Sequence, residues 1–242
     1  MTITAVILIH QPDQLLTSLI SSLDFADEIF LIRDGQFAFE IPLPENVRIF
    51  DFPVHRDFAA ARNLAISKSS SDWLLFIDSD ESVSRQLASE ITDKVRSNPT
   101  QKAYYLRRYE SYFGQTLKHG DGSTCLIRLA KKNAGKFIRP VHEKWQIRGK
   151  IGRLDSPLIH SHQNLVSLFL AKIQLYSPID AQSLSLEGKP FSYPRLLINP
   201  PAKFFFNYFV KLGFLDGYLG LFHAYMMSVQ SLSVRVVQWL NR

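Results

Sequence analysis

The chain has 242 residues, enough for one large domain or a domain with an appendage, and its 46% hydrophobic and 21% charged residues are ordinary for a globular protein. A formal net charge of +6 favours phosphorylated ligands or anionic membrane surfaces without choosing between them. The single cysteine, Cys125, excludes an internal disulfide and favours a reducing, cytoplasmic compartment.

Ile3–Ile9 is a run of small and β-branched apolar residues, read as a buried first strand. Starting at Thr2, this run is too short for a secretory leader and lacks a basic flank. His10-Gln11-Pro12-Asp13 breaks it, and Leu15, Leu16, Leu19, Ile20 and Leu23 set helical spacing over Gln14–Leu23. Glu28–Arg33 reads as a second strand ending at the turn Asp34-Gly35, and Val47–Phe50 as a third. A helix is expected over Asp57–Ser69, a strand over Trp73–Ile77 and a helix over 83–98. Strands and helices that alternate with short links predict an α/β unit able to bind a nucleotide. Neither a Gly-rich dinucleotide fingerprint nor a Walker loop is present, so a bound phosphate must be held mainly by metal and side chains.

The strand Trp73–Ile77 runs directly into Asp78, Asp80 and Glu81. Open α/β sheets bind ligands at the carboxyl ends of their strands, and Mg²⁺ and Mn²⁺ take carboxylate oxygens while bridging substrate phosphates. The other reading of this triplet is an acidic helix start, with Asp80 or Ser82 as N-cap.

Further along, Lys102–Arg108 and Cys125–Leu129 read as strands flanking a polar loop that contains His119-Gly120-Asp121-Gly122. Lys136–Arg153 contains Val141-His142-Glu143 and a turn at Arg148-Gly149-Lys150. In Ile159-His160-Ser161-His162 both imidazoles share one strand face; lacking a third ligand of fixed spacing, they read as exposed loop histidines rather than a zinc pair. Cys125 reads as a small core residue. From Asn164 the pattern is helical: Leu165–Ala181, then two segments after the Pro-rich stretch 190–201.

The ordered set Ala26-Asp27-Glu28-Ile29, Phe58-Ala59-Ala60-Ala61-Arg62-Asn63, Asp72-Trp73 through Asp78-Ser79-Asp80-Glu81, His119-Gly120, Val141-His142-Glu143 and Leu212-Gly213-Phe214-Leu215-Asp216-Gly217 resembles the family 2 glycosyltransferases of GT-A fold, in particular the lipopolysaccharide-core branch. The resemblance implies a mixed central sheet with a C-terminal helical appendage. It divides the chain into a catalytic domain, 1–163, with a nucleotide-sugar half (1–82) and an acceptor half (100–163), and a helical region, 164–242. Asp80 is implied as the direct ligand of Mg²⁺ or Mn²⁺, with Asp78 on the ribose or sharing the metal. Arg62 is implied near the diphosphate or nucleoside, and Asn63 as fixing the loop. Glu143 is implied as the general base of inverting transfer, with His142 orienting it or touching the diphosphate. Lys144 and Arg139 beside Glu143 offer it salt-bridge partners instead, and such pairing would weaken a base. His119 and Asp121 are lesser candidates for acceptor contact.

Two positions depart from that family. His10-Gln11-Pro12-Asp13 stands where an Asn-Glu pair is usual, and Arg33-Asp34-Gly35-Gln36 where Asp-Ser-Gly-Ser is usual. Asp34 then takes the nucleobase by a one-residue shift, or the base is held differently.

Lys203–Trp239 is rich in aromatic and apolar residues, and from Pro190 onward five basic residues face one acid, Asp216. Lys211–Arg235 has the length of a bilayer span, but Asp216, His223 and Gln230 interrupt it. A helical hairpin lying on the inner face of the cytoplasmic membrane is the expectation; packing on the catalytic domain or homodimerisation is the alternative. The expected partners are a UDP- or GDP-sugar donor and a lipid-linked saccharide acceptor, with no nucleic acid. The competing functions are a nucleotidyltransferase, for which His10–Leu16 lacks the usual Gly/Lys/Arg-rich loop, and a catalytically degenerate membrane-docking adaptor.

Overall fold

The structure, a computed structural model, describes residues 1–10, 15–39, 42–54, 57–140, 143–162 and 165–241. Its contacts group the chain into two units, residues 1–108 with 125–160, and residues 109–124 with 161–242.

The first unit is built on β1 (Ile3–Ile9), β2 (Glu28–Arg33), β3 (Val47–Asp51) and β4 (Trp73–Asp78), which pair in parallel in the order β3-β2-β1-β4. The sheet turns antiparallel where β8 (Ser123–Lys131) joins β4, and β6 (Ala103–Tyr112), β12 (Leu158–His162) and the two-residue β5 (Glu81–Ser82) come next in that order. It is a mixed sheet, as expected. A separate hairpin joins β9 (Gly135–Ile138) to β10 (Lys144–Ile147), and β11 (Ile151–Arg153) pairs in parallel with the start of β6.

Side chains alternate across the pleat, and the two faces form two cores. Ile3, Ala5, Ile7, Ile29, Leu31, Trp73, Leu75 and Ile77 pack with Leu16 and Leu19 of α1 (Leu15–Ser21) and with Leu87, Ile91 and Val95 of α3 (Arg85–Arg96). Val6, Leu8, Phe30, Ile32, Leu74 and Phe76 pack on the other side with Ala59, Ala61 and Ala65 of α2 (Phe58–Lys68) and with Phe137 and Trp145. The small alanine side chains let α2 approach the sheet closely, and the same helix carries Arg62 and Asn63.

The alternative reading of the triplet, a helix start at Asp80 or Ser82, is not the one that forms. Ser84 caps α3, its hydroxyl accepting from the Leu87 amide at 3.1 Å, which leaves the acids of the triplet for other partners.

The second unit contains β7 (Gln115–Leu117), which forms a hairpin with the outer end of β6, and three helices, α4 (Leu165–Leu186), α5 (Tyr193–Phe205) and α6 (Gly217–Leu240). The first helical segment expected after the Pro-rich stretch begins inside it: α5 starts at Tyr193, with Pro194 in the first turn where no amide donor is required. Single π- and 3₁₀-turns, Phe206–Val210 and Gly213–Asp216, join α5 to α6. Gly220 sits against this joint; a Cβ there would lie 1.9 Å from the Gly213 carbonyl oxygen, so only glycine permits the approach. Among the described residues no helix is long and apolar enough to cross a membrane.

Candidate active site

Asp78 is the last residue of β4, at the carboxyl edge of the parallel strands, and two arginines converge on it. Arg62, on α2, is only 4% exposed. Its Nη2 donates to Asp78 Oδ1 and its Nε to Glu143 Oε1, both at 3.0 Å, and its guanidinium lies 5.5 Å from the ring centres of Phe76 and Phe137. Arg128, on β8, is buried as well; its Nη2 donates to Asp78 Oδ2 at 2.5 Å and to Glu81 Oε1 at 2.9 Å. Arg108 reaches Glu81 Oε1 at 3.4 Å, and Glu81 Oε2 accepts the Asp78 amide at 2.9 Å. Three carboxylates and three guanidiniums thus form one neutral network, the arrangement that makes buried charge tolerable.

Burial raises the Asp78 pKa, but the charges of Arg128 and then Arg62 outweigh it and hold this carboxyl far below the usual carboxylate range. Glu81 goes the other way: burial pushes its pKa up, the Arg128 charge opposes that, and the adjacent Asp78 charge adds to it. For Arg128, burial alone lowers the pKa, and the charges of Asp78 and Glu81 reverse the direction.

Asp80 meets a different partner. Its Oδ2 lies 2.7 Å from His160 Nε2, because β12 pairs with β5 in a register that sets His160 opposite Glu81. His160 is 6% exposed, which corrects the expectation of an exposed loop histidine. The side chain of His162 lies outside the described residues. Among the described residues no group of three or more His, Cys, Asp or Glu converges as a metal cage. The donor set nevertheless fits a divalent ion that draws its remaining ligands from substrate phosphates. Asp80 offers a half-exposed carboxylate and His160 an imidazole, whereas both Asp78 oxygens already accept guanidinium hydrogen bonds.

A cavity of about 590 Å³ opens beside the network, lined by Arg62, Asp78, Arg108, Arg128, Glu143 and Tyr105 among others. Two donors on these arginines, Arg62 Nη1 and Arg128 Nε, are buried and have no acceptor among the described residues. Unmet guanidinium donors at a cavity are suited to an anionic ligand such as a diphosphate.

Among the described residues Glu143 is paired with Arg62 rather than with Lys144 or Arg139, and its side chain is 18% exposed. His142 lies outside the described residues. Asn63 does not face the cavity network: its side-chain amide donates to the Phe137 carbonyl and accepts from the Phe137 amide, both at 2.9 Å, which fixes β9 against α2. Asp34, after β2, is held by His10 Nδ1 at 2.6 Å and by the Val54 amide at 2.9 Å. Neighbouring Arg33 is engaged with Asp51 and with the Phe37 carbonyl. Cys125 is exposed and lines the cavity, a correction to its reading as a core residue.

Sequence reasoning did not single out Arg108 or Arg128, and it gave His160 no part beside the acids. The signal for Arg128 was present: an arginine between Leu126, Ile127, Leu129 and Ala130 on a strand must find carboxylates if that strand is buried.

The second unit holds the other motif residues. The Asp216 carboxylate accepts from the His119 amide at 2.8 Å and lies 2.9 Å from His119 Nδ1. His119-Gly120 and Leu212–Gly217 are therefore two halves of one clasp. Asp121 bridges Lys203, at 2.7 Å, and Lys211.

The model of "Glycosyl transferase family 2" matches residues 13–154, more than half of the chain. The lipopolysaccharide core biosynthesis glycosyltransferase LpsC of Rhizobium meliloti is 21% identical over 94% of this chain and 91% of its own length. An uncharacterised glycosyltransferase, RT0209 of Rickettsia typhi, is 25% identical over 67% of this chain and 60% of its own. The crystal structure of residues 1–349 of S. aureus TarS superposes with a TM-score of 0.47 at 12% identity, covering 100% of this chain and 92% of that one.

Proposed function

The chain belongs to glycosyl transferase family 2, and on that premise we propose that it is an inverting, metal-dependent enzyme moving a sugar from a UDP- or GDP-sugar to a lipid-linked or lipopolysaccharide-core saccharide. The observation that carries this reading is the Arg62–Asp78–Arg128 network with unmet guanidinium donors beside Asp80 and His160. Arg62 and Arg128 hold the donor diphosphate, and Asp78 keeps both guanidiniums aimed. Asp80 and His160 hold Mg²⁺ or Mn²⁺, which supplies Lewis-acid stabilisation of the departing diphosphate when bound. Glu143 takes the proton of the acceptor hydroxyl as that oxygen attacks the anomeric carbon, with Arg62 fixing the carboxylate through Oε1. The full-length likeness to LpsC, a lipopolysaccharide-core enzyme, supports the acceptor class.

Membrane docking through the second unit forms part of the same reading. Around the α5–α6 joint Phe205, Phe209, Val210, Leu215 and Tyr218 are all more than half exposed, beside Lys203 and Lys211. So dense an exposed aromatic cluster with flanking cations suits an anionic interface and a lipid-borne acceptor.

The test incubates the protein with UDP- and GDP-sugars and Mn²⁺ and monitors nucleoside diphosphate release. Slow donor hydrolysis that EDTA, Asp80→Ala and Arg128→Ala each abolish is expected. Glu143→Gln should spare donor binding while removing transfer. Absence of hydrolysis and of nucleotide binding across the panel would overturn the proposal, and pyrophosphate release from a nucleoside triphosphate would replace it with nucleotidyl transfer.

A further inference from the structure

At the opposite end of the same strands, the first unit has a second hollow of about 390 Å³, bordered by Asp72, Trp73, Lys102, Lys131, Lys132 and Arg148. Trp73 opens β4 and Asp78 closes it, so the hollow lies about 16 Å from the donor cavity along the strand. Four cations and one acid surround it. Among the described residues none of the four cations forms an ion pair, and Asp72 Oδ2 is engaged by the amide of Thr2 at 3.0 Å.

Two of the ammonium groups are held in place. Lys131 Nζ donates to the Pro99 carbonyl at 3.2 Å and lies 5.4 Å from the centre of the Trp73 ring. Lys132 Nζ donates to the Ser69 carbonyl. Each ammonium has three donors, so each keeps two for another acceptor. Lys102 is positioned by the turn at Gly149, whose φ of +132° brings the backbone against the Lys102 stem; a Cβ there would lie 2.6 Å from Lys102 Cγ. The indole N–H of Trp73, in the same wall, has no acceptor among the described residues.

Like charges fixed around one concavity repel, and that repulsion is relieved by an anion carrying more than one charge. We infer that this hollow is a second anion site that takes a phosphate-bearing group, separate from the donor cavity. Its concave form and the complete burial of Trp73 leave no exposed aromatic platform for stacking bases, which argues against single-stranded nucleic acid. The phosphate has two sources with the same chemistry, a soluble phosphorylated compound or a phospholipid headgroup. The hollow and the donor cavity share no lining residue, so this site stands independently of the transfer chemistry proposed above.

The test uses the full chain, ¹⁵N-labelled, titrated with pyrophosphate at low salt. The double variant K102Q/R148Q serves as the probe of the site, because neither side chain makes a hydrogen bond among the described residues; an unchanged urea midpoint verifies that it folds. Backbone amides of Lys131, Lys132, Asn133 and Gly149 should shift, and the double variant should weaken that binding about tenfold. Sedimentation with phosphatidylglycerol vesicles separates the sources: a parallel loss in the variant identifies a headgroup, and unchanged sedimentation with lost pyrophosphate binding identifies a soluble ligand. Shifts confined to the neighbourhood of Arg62, Asp78 and Arg128, or binding at the hollow that ignores the double variant, would overturn the inference.

Discussion

Replacing Arg128 by methionine removes the cation shared by Asp78 and Glu81 while keeping most of the buried volume. The Glu81 side chain is fully buried and that of Arg128 is 7% exposed, so solvent cannot compensate for the loss. Breaking one side of such a buried pair costs about 3–5 kcal/mol, against a total stability of about 5–15 kcal/mol for a typical domain. At about 2–4 °C per kcal/mol for a chain of this size, the melting midpoint should fall by about 6–20 °C. The loss should also depend on pH. Burial and the Asp78 charge both raise the Glu81 pKa, and Arg128 is the main influence lowering it. Without Arg128 the folded-state pKa of Glu81 rises further above its unfolded value. A group raised in this way favours the folded state while protonated, and that contribution is lost as pH rises through the folded pKa. The variant should therefore be closer to wild type at pH 5 than at pH 8. Adding Glu81→Gln should recover part of the loss, since an amide needs no countercharge. Urea unfolding monitored by tryptophan emission, in a double-mutant cycle at both pH values, measures each quantity. A penalty below about 1 kcal/mol, or strict additivity of the two substitutions, would refute the account of one coupled charge network.

Neighbouring geometry sets three further expectations. His160→Ala should raise the Mn²⁺ concentration needed for nucleotide binding about tenfold, read by calorimetry, with little change when the ion is absent. Asp121→Asn should flatten the acid limb of stability: burial raises the Asp121 pKa, but hydrogen bonds from Lys203 and Lys211 dominate and lower it from an ordinary 3.8 to about 2. Its stabilisation, about 2 kcal/mol, is present above the unfolded pKa and lost as pH falls toward 2, which urea midpoints from pH 5 to pH 2 can track. Gly220→Ala should destabilise the second unit by more than about 2 kcal/mol, seen as accelerated amide exchange in α5 and α6, because the new Cβ would meet the Gly213 carbonyl at 1.9 Å.

Much of the fold was legible in local pattern. Continuous apolar runs marked β1, β2 and β4, and the boundaries of β1 and β2 were those read directly from the residues. The triplet Asp78, Asp80 and Glu81 was legible as a candidate site because acids cannot end a buried strand without a use or a partner. What each acid does was not visible. Asp78 and Glu81 share Arg128, fifty and forty-seven residues away in sequence, and Asp80 meets His160 eighty residues on. Those partners are selected by strand order and register, in particular the antiparallel pairing of β12 with β5, and no local periodicity encodes which distant cation arrives beside which acid. The clasp of His119 with Asp216 and the cations gathered around Trp73 have the same origin. Sequence alone determined which residues had to be buried or charged; tertiary structure decided which charges met, because electrostatic pairing depends on distance in space and not on separation along the chain.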